Sequence, residues 1–183
     1  MEIVYGIVAV IILWFILTYN SLVRGITYID EAYSQIDVQL QRRNDLIPVL
    51  VNTLKGYTKH ESSTLEAVIK ARQQLIDLPS DASPQQVNSL ANQLSGSLSR
   101  LLIVVEDYPR LKAIKGFDRL QEELVSSENK ISAARSYYNK LIALHNNKVK
   151  MVPTNIVAKM VGYQVKDYLK TPEDERVVPE VSF

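Results

Sequence analysis

The sequence contains no cysteine, and only 6 glycines, 7 prolines, 2 histidines and 1 tryptophan occur among its 183 residues. The absence of cysteine excludes disulfide bonds, thiolate metal sites and cysteine nucleophiles, and it leaves the redox compartment undetermined. The low glycine and proline content favours long helices with few connections. Lysine and arginine total 21 against 20 aspartates and glutamates, so the chain has no basic excess with which to bind nucleic acid.

Sequence motifs for catalysis or metal binding are also missing. The chain has no H-E-x-x-H, no Glu-x-x-His, no G-x-x-x-x-G-K-[ST] and no G-x-S-x-G, and neither His60 nor His145 has a partner at ligand spacing. We interpret His145 as a partly buried residue near the end of a helical bundle. Because the sequence supplies no base, nucleophile or metal set, we predict a non-enzymatic protein without a cofactor or metal.

An uncharged stretch covers residues 3–23, and its apolar part, residues 3–19, is long enough to cross a hydrocarbon core of about 30 Å. Tyr5 lies near one end of this stretch, and Trp14 and Tyr19 lie toward the other, which suits the two membrane interfaces. The basic region and the cleavage site of a signal peptide are both missing. A fully buried core helix is the alternative, but this chain is too short to surround one. We therefore predict a transmembrane anchor over residues 1–21.

The charges that flank the predicted span give an expectation for its orientation. No lysine or arginine precedes the span, and Arg24 follows it, although Asp30 and Glu31 lie close by. The positive-inside bias then places the N-terminus outside and the body of the protein in the cytoplasm.

After the span, apolar residues recur at alternating gaps of three and four, and one slot of this seam is filled by Arg43. This repeat predicts a coiled-coil-like helix that continues from the anchor to about Tyr57. Gly56 is the expected C-terminal cap, and the alternative is a helix that bends there and continues. The seam consists of Leu22, Ile26, Ile29, Tyr33, Ile36, Leu40, Arg43, Ile47, Leu50, Leu54 and Tyr57.

Three further helices and a tail are predicted. The second helix covers residues 61–77, and the third starts with Ser83 as N-cap, Pro84 at the first position and Gln86 completing a capping box. Proline ends the third helix at Pro109, and a fourth covers residues 109–150. Two long and two short helices predict an all-α, up-and-down four-helix bundle over residues 22–152. Residues 153–183 are expected to form a short helix and an extended tail.

Arg43 lies at a seam position, where an unpaired charge is costly. Breaking a buried ion pair typically costs about 3–5 kcal/mol, so this arginine needs a partner. Counting along antiparallel first and fourth helices places Arg43 opposite Glu123, with Glu128 more than a turn later. We predict a buried pair of Arg43 and Glu123 that fixes the helix register. The alternative is a polar site for a partner or ligand in the middle of the bundle.

Several blocks of the sequence resemble the LemA family, and together they extend over nearly the whole chain. The departures are Val161-Gly162-Tyr163, where the family often has an aromatic pair around the glycine, and residues 73–87, which show no clear match. The matching blocks include YNSLVR at 19–24, DEAYSQIDVQLQRRNDLIP at 30–48, KGY at 55–57, YPRLK at 108–112 and PTN at 153–155.

This resemblance implies a single-span membrane protein with its N-terminus outside and a cytoplasmic four-helix bundle. It implies no agreed enzymatic activity and supplies no site residue. Some members of the family are linked to a membrane metalloprotease of the HtpX kind, and magnetosome-associated members to the shaping of membrane compartments.

Two functional hypotheses follow for a chain without catalytic residues. The first is a membrane-anchored scaffold that self-associates through apolar residues such as Leu102 and Ile103 and organises lipids or other membrane proteins. The second is a single-span sensor, or a regulator of a membrane metalloprotease. An external sensor needs the opposite orientation, which distinguishes the two hypotheses.

Overall fold

The computed structural model describes residues 1–54, 62–106 and 116–170, and these form five α-helices and no strand. The predicted all-α class is therefore confirmed, and so is the long apolar helix at the N-terminus. The predicted helix end at Gly56, the proline stop at Pro109 and the tail after residue 170 lie outside the described residues. The helices are α1 (Glu2–Leu54), α2 (Ser62–Ile76), α3 (Pro84–Glu106), α4 (Phe117–Lys150) and α5 (Thr154–Met160).

Helix α1 carries the apolar stretch and the heptad seam in one continuous element, as predicted, and it continues through Pro48. Most of the predicted seam is buried, while Ile26 and Tyr33 are half-buried. The buried seam residues are Leu22, Ile29, Ile36, Leu40, Arg43, Ile47, Leu50 and Leu54.

The capping box of α3 is present as predicted. The Ser83 backbone N–H donates to Gln86 Oε1 at 2.9 Å, and the Gln86 N–H donates to Ser83 Oγ at 3.3 Å. Helix α4 begins later than predicted, because Gly116 has a φ of 90°, which a helix interior does not allow. An uninterrupted helix from Pro109 is therefore wrong.

The inner faces of α2 and α4 agree in part with the apolar spacing. On α2 the spacing predicts Leu65, Val68, Ile69, Leu75 and Ile76. Of these, Leu65 and Val68 are buried together with Ala71, whereas Ile69 and Ile76 are exposed. On α4 a strict 3.5-residue repeat predicts Phe117, Leu120, Leu124, Ser127, Ile131, Ala134, Tyr138, Leu141 and His145. All of these are buried except Ala134 and Leu141, which are only half-buried. The buried residues one position further on are Arg135 and Ile142. A straight helix has 3.6 residues per turn, so its buried face drifts from a 3.5-residue repeat.

The chain divides into two compact units. One unit consists of Met1–Gln35 and Ala134–Tyr168, and the other contains residues 36–133 and 169–183. Helices α1 and α4 each contribute to both units, whereas α5 belongs to the first and α2 and α3 belong to the second. The predicted division of the chain at residues 21 and 152 stays a prediction.

The core of the second unit combines residues from α1, α2, α3 and α4. Leu50, Val68, Leu94, Leu101 and Phe117 are fully buried within it. Four helices therefore share one apolar core, and the up-and-down order of these helices stays a prediction.

In the first unit, polar side chains of α4 hold the extended residues that follow α5. Asn146 Nδ2 donates to the Lys166 carbonyl at 2.9 Å, and the Lys166 N–H donates to Asn146 Oδ1 at 2.8 Å. His145 Nε2 lies 3.0 Å from the Gln164 carbonyl. The short helix α5 ends at Met160, and Gly162 follows with a φ of 80°.

Candidate membrane-anchoring site

The N-terminal part of α1 presents apolar side chains on all sides. In its most apolar 18-residue window only 6% of the residues are buried, although the helix is long and apolar enough to cross a membrane. A core helix of the same composition would be covered by the rest of the protein. The exposed apolar surface therefore makes α1 a candidate membrane span rather than a core helix.

The aromatic residues predicted for the membrane interfaces have different surroundings. Tyr5 and Tyr19 are exposed on α1. Trp14 is partly buried, because it packs with Phe15 against the small apolar core of the first unit. Their depth in a bilayer stays a prediction.

Helix α5 packs against α1 beside the end of the apolar stretch. Val157 and Ala158 of α5 and Leu22 of α1 are fully buried together, and Trp14, Phe15, Val149 and Tyr163 pack around them. Thr18 of α1 is also buried, although it lies within the apolar stretch. The end of the candidate span is therefore covered on one side by the residues that follow α4.

Hydrogen bonds also join the end of α4 to α1 just beyond the apolar stretch. Lys148 Nζ donates to Ser21 Oγ at 2.9 Å and lies 3.4 Å from the Ser21 carbonyl. Thr154 Oγ1 lies within hydrogen-bonding distance of the Lys148 carbonyl and 2.9 Å from the Met151 carbonyl. A lysine near the C-terminus of a helix also complements the helix dipole. The end of α4 is thus tied to α1 two residues after Tyr19.

The second unit contains a buried polar cluster around Arg43. The Arg43 side chain is fully buried, and its Nη1 lies 2.7 Å from Glu128 Oε2. Nη1 also donates to Ser95 Oγ at 2.8 Å, and Nη2 donates to the Ala91 carbonyl at 3.3 Å. Ser95 Oγ lies 2.8 Å from the other Glu128 oxygen, Oε1. One arginine of α1 is therefore bound to both α3 and α4.

The predicted partner of Arg43, Glu123, is not the carboxylate that contacts it. Glu123 Oε1 instead lies 3.4 Å from Nε of Arg119, one turn earlier on α4. The prediction assumed that the fourth helix begins level with the end of the first. The true partner, Glu128, lies five positions further along, which corresponds to about 7.5 Å of helix. The buried ion pair itself is present, with a different glutamate.

Burial lowers the pKa of the Arg43 guanidinium, and the negative charge of Glu128 and its hydrogen bond oppose this shift. An arginine nevertheless stays protonated at neutral pH. The cluster therefore holds a fixed positive charge in place. Such pairs can serve structural specificity, as in registering one helix against another.

Among the described residues, no group of three or more His, Cys, Asp or Glu side chains that could hold a metal ion occurs. His145, which is predicted to be partly buried, is buried, and its ring lies edge-on to Tyr163 at 6.1 Å. His60 lies outside the described residues.

Comparison with known proteins finds one matching family profile and several related sequences. The profile of the LemA family matches residues 32–183, which begin after the apolar stretch. Protein LemA of Metamycoplasma hominis is 29% identical over 164 residues, covering 89% of this chain and 74% of that protein. Magnetosome protein MamQ 2 of Paramagnetospirillum magneticum is 22% identical and is covered over 65% of its length, against 85% of this chain. Magnetosome protein MamQ of Magnetospirillum gryphiswaldense is 21% identical, with 84% of this chain and 65% of that protein covered.

Proposed function

Because the chain belongs to the LemA family, we propose that it is a non-enzymatic, membrane-anchored helical scaffold. In this proposal the apolar part of α1 spans the membrane, and the remaining helices form a body at the cytoplasmic face that binds other membrane components. One observation carries the proposal: a single helix, α1, contains both an uncovered apolar segment and the seam residues Ile47, Leu50 and Leu54 of the second unit's core.

The exposure of the apolar segment supports the anchor. Ile3, Val10 and Leu13 all have more than half of their surface uncovered. Transferring such surface from water into a hydrocarbon environment is favourable by roughly 25 cal/mol per Å². The likeness to Protein LemA and to magnetosome proteins supports a membrane-associated helical protein in the same sense.

The proposed orientation, with the N-terminus outside, is supported by the position of basic residues. Arg24 follows the apolar stretch, and Lys148 lies against Ser21 at the same end of it. Both cations lie beside the C-terminal end of the proposed span, which the positive-inside bias assigns to the cytoplasm.

Self-association of the scaffold is supported by apolar residues that the described protein leaves uncovered. On α3, Ile103 is exposed and Leu102 is half-buried, and on α1, Val38 is exposed in the second unit. Apolar contacts between copies would remove such residues from water. A homo-oligomer and other membrane proteins are therefore the partners proposed for the body, together with the bilayer.

Extraction of the chain from membranes tests the anchor. An integral span keeps the protein in the membrane fraction through high-salt and alkaline carbonate washes, and detergent releases it. Release by salt alone would show a peripheral protein and contradict the proposal. Crosslinking in native membranes tests self-association of the scaffold. Recovery of monomers alone at ordinary expression would contradict it.

A further inference from the structure

Helix α5 and its flanking residues carry an apolar surface that the core of the first unit does not use. Val157 and Ala158 face α1, whereas Ile156 and Met160 are 53% and 70% exposed. At 100° per residue the two pairs are centred roughly 130° apart around α5, so the exposed pair points away from the core. Met151, Val152 and Val161, which flank α5 in the sequence, are exposed as well. We call the exposed pair Ile156 and Met160 the outer face of α5.

The location of α5 relates this face to the proposed span. Val157 and Ala158 pack with Trp14, Phe15 and Leu22 of α1, which lie at the C-terminal end of the apolar stretch. Trp14 and Leu22 are about 12 Å apart along the helix, and the headgroup region on one side of a bilayer is roughly 5–8 Å thick. If residues 3–19 cross the hydrocarbon core, Trp14 and Phe15 lie inside it and Leu22 lies beyond it, so α5 lies at the boundary between the acyl chains and the headgroups.

The sequence on either side of α5 carries only positive charges from residue 129 to residue 166. Between Glu128 and Asp167 the sequence contains no acidic residue, and it contains five lysines and arginines up to Lys150 and then Lys159 and Lys166. Lys150 and Lys159, which flank the outer face of α5, are exposed. Cations beside a membrane surface are attracted by anionic lipids, and apolar side chains of an interfacial helix enter the boundary between headgroups and acyl chains.

We propose that the outer face of α5 is a second membrane contact of this chain, in which the helix lies at the boundary between the headgroups and the acyl chains of an anionic bilayer. Ile156 and Met160 insert among the lipids, and Lys150 and Lys159 lie against anionic headgroups. This inference rests on the proposed span, because the span sets the level of α5. Together with the span, this contact holds the C-terminal end of α4 at a defined position at the membrane surface.

The test uses single cysteines, since the natural chain has none. The full-length variants Met160→Cys, Ile11→Cys and Ser126→Cys are labelled with an environment-sensitive fluorophore and reconstituted into vesicles of phosphatidylcholine and phosphatidylglycerol. Lipids with a nitroxide near the headgroup or near the chain end then quench each label. Ile11 reports the proposed span, and Ser126 is an exposed site on α4 in the second unit.

We expect the label at Met160 to lose more fluorescence with the shallow nitroxide than with the deep one. The label at Ile11 should show the reverse, and the label at Ser126 should lose little with either. Replacing Lys159 by Glu in the Met160→Cys variant should reduce quenching in the mixed vesicles more than in vesicles of phosphatidylcholine alone.

Four results would contradict the inference, and they have different meanings. If the Ile11 label is quenched and the Met160 label is not, α5 is away from the lipids while the anchor stands. If neither label is quenched, the span is wrong and the membrane contact of α5 falls with it. If the Met160 label has blue-shifted emission without lipid quenching, protein covers the outer face. If Lys159→Glu reduces quenching equally in both kinds of vesicle, the contact with anionic headgroups is wrong.

Discussion

Arg43 and Glu128 form a 2.7 Å ion pair in which the arginine side chain is fully buried and the glutamate side chain is 33% exposed. Ser95 lies between them on the third helix, accepting a hydrogen bond from Arg43 and lying 2.8 Å from Glu128. Because each partner belongs to a different helix, the cluster fixes α1, α3 and α4 of the second unit in one register.

Glu128→Gln should destabilise the protein, because it removes the charge that compensates the buried guanidinium. Losing one partner of a buried pair costs about 3–5 kcal/mol, and the partial exposure of Glu128 places the expected loss near 3 kcal/mol. Denaturant unfolding in mild detergent measures it. Glu123→Gln is the matched control, since the ion pair that the described residues show for Glu123 is with an exposed arginine on its own helix. Its effect should stay within about 0.5 kcal/mol. Equal losses in both variants would contradict the assignment of Glu128.

Replacing both charges should be less damaging than replacing one. Arg43→Met combined with Glu128→Leu removes the buried charge together with its partner, and apolar replacements of buried pairs are often neutral or stabilising. We expect the double variant to be more stable than Glu128→Gln in the same unfolding experiment. If the loss of stability in the double variant equals the sum of the losses in Arg43→Met and in Glu128→Leu, the two residues are not energetically coupled.

Tyr138 should make the fold sensitive to alkaline pH. Burial raises the pKa of its hydroxyl above the ordinary value of 10.0, and the negative charge of Asp30 raises it further. The folded state thus favours the protonated tyrosine and is stabilised by it. This contribution of Tyr138 to the free energy of unfolding is complete below about pH 10 and is lost as pH rises through the folded-state pKa. The free energy of unfolding, measured between about pH 9 and pH 11, should decrease less with rising pH for Tyr138→Phe than for the natural chain.

Tyr137→Phe is the matched control for this pH dependence, since Tyr137 is the exposed neighbour on the same helix. The ring of Tyr138 also packs against Tyr33 at a centroid distance of 5.9 Å, and phenylalanine retains that contact. An unchanged alkaline loss in Tyr138→Phe would assign the effect to other groups.

A charge in the apolar stretch should weaken membrane insertion. Ile11→Arg places an arginine near the middle of the proposed span, where a charge costs about 2.5–3.5 kcal/mol on insertion scales. Fractionation followed by a carbonate wash should then find more of the variant in the soluble fraction. Val38→Arg is the control, because Val38 is also exposed on α1 but lies in the second unit. A soluble shift in both variants would point to misfolding rather than to a lost span.

Periodicity predicted the parts of the fold that depend on one helix at a time. The seam from Leu22 to Leu54, the capping box of Ser83 and Gln86, and the anomaly of Arg43 all follow from spacing within a single segment. Each of these signals is local, because the helix repeat fixes which residues share a face. The LemA resemblance, confirmed by the family match, added the relation to membrane proteins.

The features that sequence reasoning missed depend on how separate segments meet. The partner of Arg43 is set by the offset between α1 and α4. Residue counting across a turn does not determine this offset, so it predicts Glu123 in place of Glu128. Ser95 is a small polar residue one turn from Ala91. Small residues at these two positions leave space for the large Arg43 side chain, and this is the signal that the sequence offers for Ser95. The packing of α5 against α1 had no sequence signal beyond the small, apolar pair Val157 and Ala158.

The central claim, an anchor with its body in the cytoplasm, is tested most directly by labelling two single-cysteine variants in intact cells with a membrane-impermeant maleimide. Glu2→Cys lies before the proposed span, and Ser126→Cys lies on an exposed part of α4. The account predicts that Glu2→Cys is labelled in intact cells and that Ser126→Cys is labelled only after permeabilisation. Labelling of Ser126→Cys in intact cells would contradict the cytoplasmic body and favour an external sensor.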